Sequence, residues 1–361
     1  MGNDRGIGAL CLLLLQIVLG ARAWRNYRSL PALSEHPSGT DSMPSVSIII
    51  PARNEEGNLP RLLSSLLQLD YPDYEIIVVD DESSDRTAEL ARRHGVRVIE
   101  SGRMPSGWVG KSWACAQGAA AARGSLLLFT DADTEHSPAS LRAAVTSAVS
   151  RRLSLLSVMP AQECGTFWER LLLPYAFALY FAGLTRVNGP RGDSVANGQY
   201  LLFNRREYDR LGGHGCVRGS LIEDVELARL TKRAGGSVAL YRTTSIRVRM
   251  YTGLRPLWEG FGKNAFRFVS SSPRSGALTV LATITYAGAV PNAIRTRNRS
   301  LSLALLATPA VALSPWTRDA GVPAAYALLY PFAGLTFGGI ALDSAQRSIS
   351  RRRTVWKDRR Y

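Results

Sequence analysis

Residues 126–133 read Leu-Leu-Leu-Phe-Thr-Asp-Ala-Asp, an apolar run that stops abruptly in two carboxylates one residue apart. The run is short and continuous, the pattern of a strand buried in a parallel sheet. Ligands of open α/β sheets bind beyond the carboxyl ends of the strands, which is where Asp131 and Asp133 emerge. Residues i and i+2 of an extended strand end point the same way. Two carboxylates aimed at one point repel each other unless a cation lies between them. Hard divalent cations such as Mg²⁺ take one or two carboxylates together with substrate phosphates. Alone, an Asp-x-Asp pair is as readily a solvated loop. Three further stretches carry acids at places where chemistry could use them: Pro51-Ala-Arg53-Asn-Glu55, Asp80-Asp81 and Glu223-Asp224. For the last of these the alternative is simple complementation of a helix dipole at its N-terminus.

The elements that must position these residues alternate between strand and helix. Val46 to Ile50 reads as a strand that runs out into Pro51 and Arg53. Leu59, Leu62, Leu63, Leu66 and Leu67 then repeat at helical spacing, with Pro60 near the first turn, where its missing N–H costs nothing. Glu75 to Val79 is a second strand, ending at Asp80, and a helix from about Asp85 to His94 is stopped by Gly95. Val96 to Ile99 is a third strand, residues 101–110 a Gly/Pro-rich loop, and Lys111 to Ala122 an Ala-rich helix. Such alternation predicts a parallel sheet with right-handed crossovers, with the acids after the second and fourth strands at one edge. Further strands are expected at Leu153 to Met159 and Asn197 to Phe203, and a helix continues from Glu223-Asp224 to about Lys232. Two short strands are expected between Ser237 and Met250. Trp168 to Leu184 is apolar on most sides and reads as an interfacial or core helix, with the balance towards lipid contact.

Lys and Arg number 44 against 29 Asp and Glu, a net charge of +15. Such an excess suggests nucleic acid, an anionic membrane or anionic substrates as partners. The arginines crowd at the ends of apolar segments, as at Arg295, Arg297, Arg299 and Arg351 to Arg353, which fits the cytoplasmic face of a membrane. No zinc-finger spacing or RNP-type motif is present, so no nucleic-acid partner is expected. Cys11, Cys115, Cys164 and Cys216 are scattered, and His36, His94, His136 and His214 show no metal spacing. Ile7 to Trp24 is just long enough to span, and Arg22, Arg25 and Arg28 follow it, which favours a signal anchor over a cleaved leader. Near the carboxyl end, Ala277 to Val290 is short and expected in the interface, with Leu301 to Leu313 and Ala320 to Leu342 forming a helical hairpin. The expected organisation is an anchor at 1–28, a linker at 29–44, a catalytic domain at 45–274, membrane segments at 275–345 and a basic cytoplasmic tail at 346–361. The protein is thus expected to be multi-pass, with its catalytic domain in the cytoplasm.

Pro51-x-Arg-Asn-Glu, Asp80-Asp81, Asp131-x-Asp133 and Glu223-Asp224, in this order and each at a strand end or loop, resemble glycosyltransferase family 2 of the GT-A fold. The resemblance covers about Ser45 to Phe266. It implies an α/β fold with a mostly parallel sheet and flanking helices, and an inverting, metal-dependent sugar transfer from a nucleotide-sugar donor, UDP-linked by expectation. Asp133 would hold Mg²⁺ or Mn²⁺, with Asp131 also a metal contact or nearer the ribose or sugar. Asp80 or Asp81 would read the uracil and ribose edge, and Pro51, Arg53 and Glu55 would line the nucleotide pocket. Asp224 would be the general base for the acceptor hydroxyl, with Glu223 beside the acceptor.

Gly107-Trp-Val-Gly-Lys-Ser-Trp-Ala invites a phosphate-loop reading that fails, because the first glycine of such a loop would fall at Pro105. Lys111, opening a helix, could still meet the diphosphate. This stretch, and the tail Val355-Trp-Lys-Asp-Arg-Arg-Tyr, look like the hopene-associated and carotenoid (diaponeurosporenoate-type) glycosyltransferases, whose acceptors are membrane-dissolved isoprenoid lipids. Trp108 and Trp113 would then meet the acceptor, unless they are ordinary packing. Processive members carry Gln-x-x-Arg-Trp after the base; here Arg255-Pro-Leu-Trp258 lacks the Gln and the preceding Arg. Arg255 and Trp258 are left as acceptor contacts, and a single transfer is expected rather than a polymer. The alternatives are a polyprenyl-phosphate sugar synthase and an inactive membrane scaffold of a lipid pathway.

Overall fold

The computed structural model describes residues 2–34, 43–189, 192–271, 273–350, 355–356 and 359–360. The chain folds as two compact units, one of residues 30–161 and 187–250, the other of residues 1–29, 162–186 and 251–361. Part of the expected linker, and Arg351 to Arg353 of the basic tail, lie outside the described residues.

In chain order the elements are α1 (Gly2–Arg28), β1 (Val46–Ala52), α2 (Leu59–Leu66), β2 (Tyr74–Asp80), α3 (Thr87–Arg93), β3 (Arg97–Glu100), α4 (Gly110–Ala121), β4 (Leu126–Thr130) and β5 (Thr134–His136). There follow α5 (Ser140–Ser150), β6 (Leu155–Gln162), α6 (Phe167–Gly183), β7 (Tyr200–Asn204), α7 (Arg205–Arg210), α8 (Glu223–Arg233), β8 (Val238–Val248), α9 (Leu254–Ser271), α10 (Pro273–Ala287), α11 (Ala289–Arg295), α12 (Arg299–Asp319) and α13 (Tyr330–Ile349).

The first unit is built on a sheet ordered β3-β2-β1-β4-β7-β6-β8-β5. Its half from β3 to β4 is parallel, as strand–helix alternation requires. Beyond β4 the sheet turns mixed: β7 runs antiparallel to both β4 and β6, and β5 antiparallel to β8. β8 is one continuous strand where two short ones were expected. Its end, Ile246 to Val248, pairs with β5, a strand too short to stand out in the sequence. β1 and β4 are buried along nearly their whole length because helices cover both faces of this part of the sheet. One face holds Ile48, Ile50, Leu128 and the α2 leucines Leu59, Leu62, Leu63 and Leu66. The other holds Ile49, Val79, Phe129 and α4. α4 lies so close that a Cβ on Gly118 would stand 2.4 Å from Ile49 Cγ2, so only glycine fits there.

The second unit is helical. α1 packs on α6 and α12, and α13 on α9. α6 starts with a capping box between Thr166 and Glu169 and is buried on nearly every turn, including Pro174. It is therefore a core helix of this unit, not the lipid-facing one the sequence favoured. The orphan carbonyls at its end accept from α1: Asn26 Nδ2 reaches Phe181 and Leu184 at 2.9 and 2.8 Å, and Arg22 reaches Leu184 at 2.6 Å. Among the described residues three helices are long and apolar enough to cross a membrane, at Gly6–Arg28, Arg299–Asp319 and Ala324–Ser348, and α10 and α11 form a bent pair with a 43° break that would make a fourth.

Candidate active site

The parallel half of the sheet delivers its acids to one edge. β2 ends in Asp80 and β4 runs into Asp131 and Asp133, on either side of β1, which ends beside Arg53. The connection is direct: the Asp81 N–H donates to the Ala52 carbonyl at 2.8 Å, and Arg53 Nη1 donates to the carbonyls of Asp81 and Glu82 at 2.6 and 2.9 Å. Asn54 and Glu82 both have positive φ, at 52° and 55°, so the chain turns sharply at both strand ends. The two loops then interlock. Asn54 Oδ1 accepts from the Ser84 N–H at 2.8 Å, the Glu55 N–H donates to Thr87 Oγ1 at 2.8 Å, and the Glu56 N–H to Asp85 at 3.0 Å. Burial alone would raise the Asp85 carboxyl, but the Thr87 hydroxyl and the N–H groups of Glu56 and Thr87 hold it below the usual range. Asp80 is buried, and its Oδ1 has no hydrogen-bond partner among the described residues. It is an acceptor at the cleft edge that a ligand's N–H or O–H would satisfy. Pro51 and Glu55 flank Arg53 on the same strand end.

Asp131 is held from below. The Thr134 hydroxyl donates to its carbonyl at 2.9 Å, and Thr130 Oγ1 donates to the Gln199 carbonyl at 2.9 Å. His136 Nε2 joins both hydroxyls, at 3.1 and 3.3 Å. Burial pushes that imidazole down to about 3, so it stays neutral, a core histidine as its spacing suggested.

Lys111, in the first turn of α4, connects motifs far apart in the chain. Its Nζ lies 2.7 Å from Asp131 Oδ1 and 3.1 Å from Glu223 Oε1. Burial works against the ammonium, but Asp131 and Glu223 outweigh it and hold Lys111 well above the ordinary lysine value. Asp224 follows Glu223 on the first turn of α8. The backbone N–H of Gly198 donates to its Oδ2 and that of Val225 to its Oδ1, both at 2.8 Å. Burial, and then the neighbouring Glu223 charge, raise the Asp224 carboxyl to about 6. Gly198 is confined by the same groups: a Cβ there would stand 3.0 Å from Lys111 Nζ and 3.4 Å from Asp224 Oδ2.

Trp108 and Trp113 stack edge to face with centroids 5.1 Å apart, and the Trp113 indole N–H is committed to the Gly102 carbonyl at 2.9 Å. The loop that carries them is tied to the stretch before α8 by the Val109 N–H on the Arg218 carbonyl at 2.7 Å. Arg255 and Trp258 stand on α9 of the other unit, with partners there: Arg255 pairs with Glu259 at 2.9 Å and Trp258 Nε1 donates to Asp343 at 2.8 Å.

The sequence reading did not single out Asn54, Asp85, Thr87, Thr134 or Gly198. Asp85-x-Thr87 before a helix is a local capping pattern that could have been noticed. Gly198 carried no such signal, because its role depends on α8 lying beside it.

Among the described residues no three His, Cys, Asp or Glu side chains converge as a metal cage. The donor set at β4 is two carboxylates, which suits a hard cation whose shell is completed by diphosphate oxygens and water.

Comparison with known proteins identifies relatives of this fold. Residues 47–212 match the glycosyl transferase family 2 domain. The 4,4'-diaponeurosporenoate glycosyltransferase of Staphylococcus haemolyticus is 32% identical over 246 residues, 66% of this chain and 65% of that protein. Its counterpart from Staphylococcus aureus is 32% identical over 61% of this chain and 60% of that protein. The matched stretch therefore spans under two thirds of these relatives' own length. A mannosyltransferase from Pyrobaculum calidifontis, solved in complex with GDP-Man and Mn²⁺, shares the fold with a TM-score of 0.59 and 17% identity, covering 98% of this chain and 100% of that one. The fold is GT-A, and within it residues 47–212 match glycosyl transferase family 2.

Proposed function

We propose that the protein transfers a single sugar from a nucleotide-sugar, UDP-linked by preference, to an isoprenoid lipid at the cytoplasmic leaflet, with inversion at the anomeric carbon. One observation carries the reading: Lys111 bridges Asp131 of the Asp-x-Asp pair and Glu223 beside Asp224, so the acids of two separate motifs share one site. The diaponeurosporenoate relatives support the isoprenoid acceptor.

In this reading the acceptor hydroxyl attacks the sugar's anomeric carbon, the bond from that carbon to the diphosphate breaks, and the proton passes to Asp224. A carboxyl raised to about 6 is ionised at neutral pH yet basic enough to accept that proton. The N–H groups of Gly198 and Val225 aim its two oxygens. Asp80 and the loop around Arg53, Asp81 and Glu82 supply the walls for the base and ribose. Asp133 and Asp131 would hold Mg²⁺ or Mn²⁺, which when bound neutralises charge on the departing diphosphate. Lys111, 2.7 Å from Asp131, would offer its charge to the diphosphate if Asp131 held a metal. Trp108 and Trp113, and Arg255 and Trp258 of the other unit, are the proposed acceptor contacts.

The test is transfer of radiolabel from UDP-glucose into the lipid extract of membranes carrying the protein, with Mn²⁺ and with EDTA. A labelled, EDTA-sensitive lipid is expected from wild type and none from Asp133→Ala. Asp224→Asn should lower the rate by about 10²- to 10⁴-fold, the usual contribution of a general base. If Asp224→Asn leaves the rate near wild type while Asp133→Ala abolishes it, the acceptor is already anionic and the polyprenyl-phosphate reading takes over. Absence of transfer with a panel of nucleotide sugars would support the scaffold instead.

A further inference from the structure

The helical unit carries a second polar site unrelated to the acids above. A cavity of about 280 Å³ opens between the start of α1 and the end of α11, lined by Gly8, Ala9, Asn292, Arg295 and Thr296. Arg295 closes α11, and Arg297 and Arg299 follow before α12 rises from its Asn298 cap. All three arginines are exposed, and among the described residues none has a carboxylate partner or any other side-chain bond. Three guanidiniums within five residues repel one another, so this stretch gains from an anion. The flanks are of the opposite character. Ile294 is 79% exposed, Ile7 58% and Leu10 50%, on the two helices that border the cavity, and Leu303 on the following α12 is 68% exposed. Ala9, Ala293 and Leu305 pack together beneath it and join α1, α11 and α12.

A cavity lined by Arg295, two more exposed arginines within the next four residues and apolar side chains left uncovered beside them suit one kind of ligand: a phosphate diester head group with acyl chains attached. We propose that residues 295–299 and the adjoining cavity bind an anionic phospholipid of the bilayer, its phosphate on Arg295, Arg297 and Arg299 and its chains along Ile7, Leu10, Ile294 and Leu303. Free phosphate would leave the apolar flanks bare. A nucleic acid would find only a short cationic stretch bounded by apolar surface. The inference is independent of the sugar-transfer reading, since it concerns binding alone.

The full-length protein would be reconstituted in nanodiscs of phosphatidylcholine with and without phosphatidylglycerol, and retained lipids read by native mass spectrometry. Wild type should keep phosphatidylglycerol in preference to phosphatidylcholine. R295Q/R297Q/R299Q should lose that preference by about tenfold or more, given the usual gain per basic residue at an anionic surface. R152Q/R206Q/R233Q, which removes three exposed arginines from the other unit, should keep it. Gly8→Phe leaves every charge in place and, with nothing within 4 Å of its Cβ, puts a ring where the head group would sit. It too should lose the lipid, which guards against misfolding of the triple variant. Equal retention by wild type and both test variants would overturn the proposal. So would displacement of the lipid by millimolar glycerol phosphate, which would mean a free-phosphate site, or exclusive retention of a polyprenyl phosphate.

Discussion

Asp224 and Glu223 are neighbours in the chain with opposite duties. Glu223 spends its charge on Lys111, whereas Asp224 takes only backbone N–H groups and keeps a carboxyl raised to about 6. As the proposed base, Asp224 works only when ionised. Activity should therefore be full above that pH and fall as the pH drops through about 6, as read from the acid limb of kcat/KM. Part of the elevation comes from the Glu223 charge. In Glu223→Gln that charge is gone, the Asp224 carboxyl ionises more readily, and the acid limb should move to lower pH. A limb that stays in place would mean that burial alone sets it. Lys111→Met should weaken donor binding and raise KM for the nucleotide-sugar more than it lowers kcat, because its ammonium faces Asp131, the proposed metal contact, rather than Asp224.

At the level of elements, the site depends on how closely α4 lies on the sheet, because α4 carries Lys111. That approach is set by Gly118 against Ile49 and Val79, at 2.4 and 3.0 Å from an added Cβ. Gly118→Val forces the helix outward or the isoleucine off its rotamer, and should destabilise the chain by about 1–3 kcal/mol. Chemical denaturation of the purified protein would show it as a lower midpoint. The displaced Lys111 should cost activity in the same variant even under conditions where it remains folded. The loops after β1 and β2 are braced otherwise, by the bonds of Asn54, Asp85 and Thr87, which is why two turns with positive φ can persist beside a cleft.

For the whole molecule the question is which side of a membrane each part occupies. With the three spans of sufficient length, residues 295–299 and the chain end both fall on the side of the family 2 domain. If the bent pair of α10 and α11 also crosses, both fall on the other side. The positive-inside rule would put Arg295, Arg297 and Arg299 on the cytoplasmic side, but Arg295 lies beside Gly8 and Ala9 at the start of α1, the end of that helix remote from the domain, which is what four spans give. A reporter fused after Tyr361 should accordingly fall on the side opposite the domain, and a reporter on the domain's side would require the three-span arrangement.

The strand–helix alternation of residues 46–130, and the emergence of Asp80, Asp131 and Asp133 at strand ends, were legible in the sequence because each rests on a local pattern. An apolar run names a buried strand, a periodic leucine row names α2, and parallel crossovers send every strand end to one edge. The apolar segments long enough to span were legible for the same reason. The antiparallel half of the sheet was not, since β5 is three residues long and β7 is parallel or antiparallel only by virtue of its neighbours. α6 was misjudged towards lipid because apolarity on all sides does not say whether lipid or other helices cover it. The bridge of Lys111 to Asp131 and Glu223, and the grip of Gly198 on Asp224, exist only in three dimensions. Residue types carry the capacity for a proton transfer or a charge, but burial and the distance to other charges decide which carboxylate becomes the base, and those are properties of the folded chain.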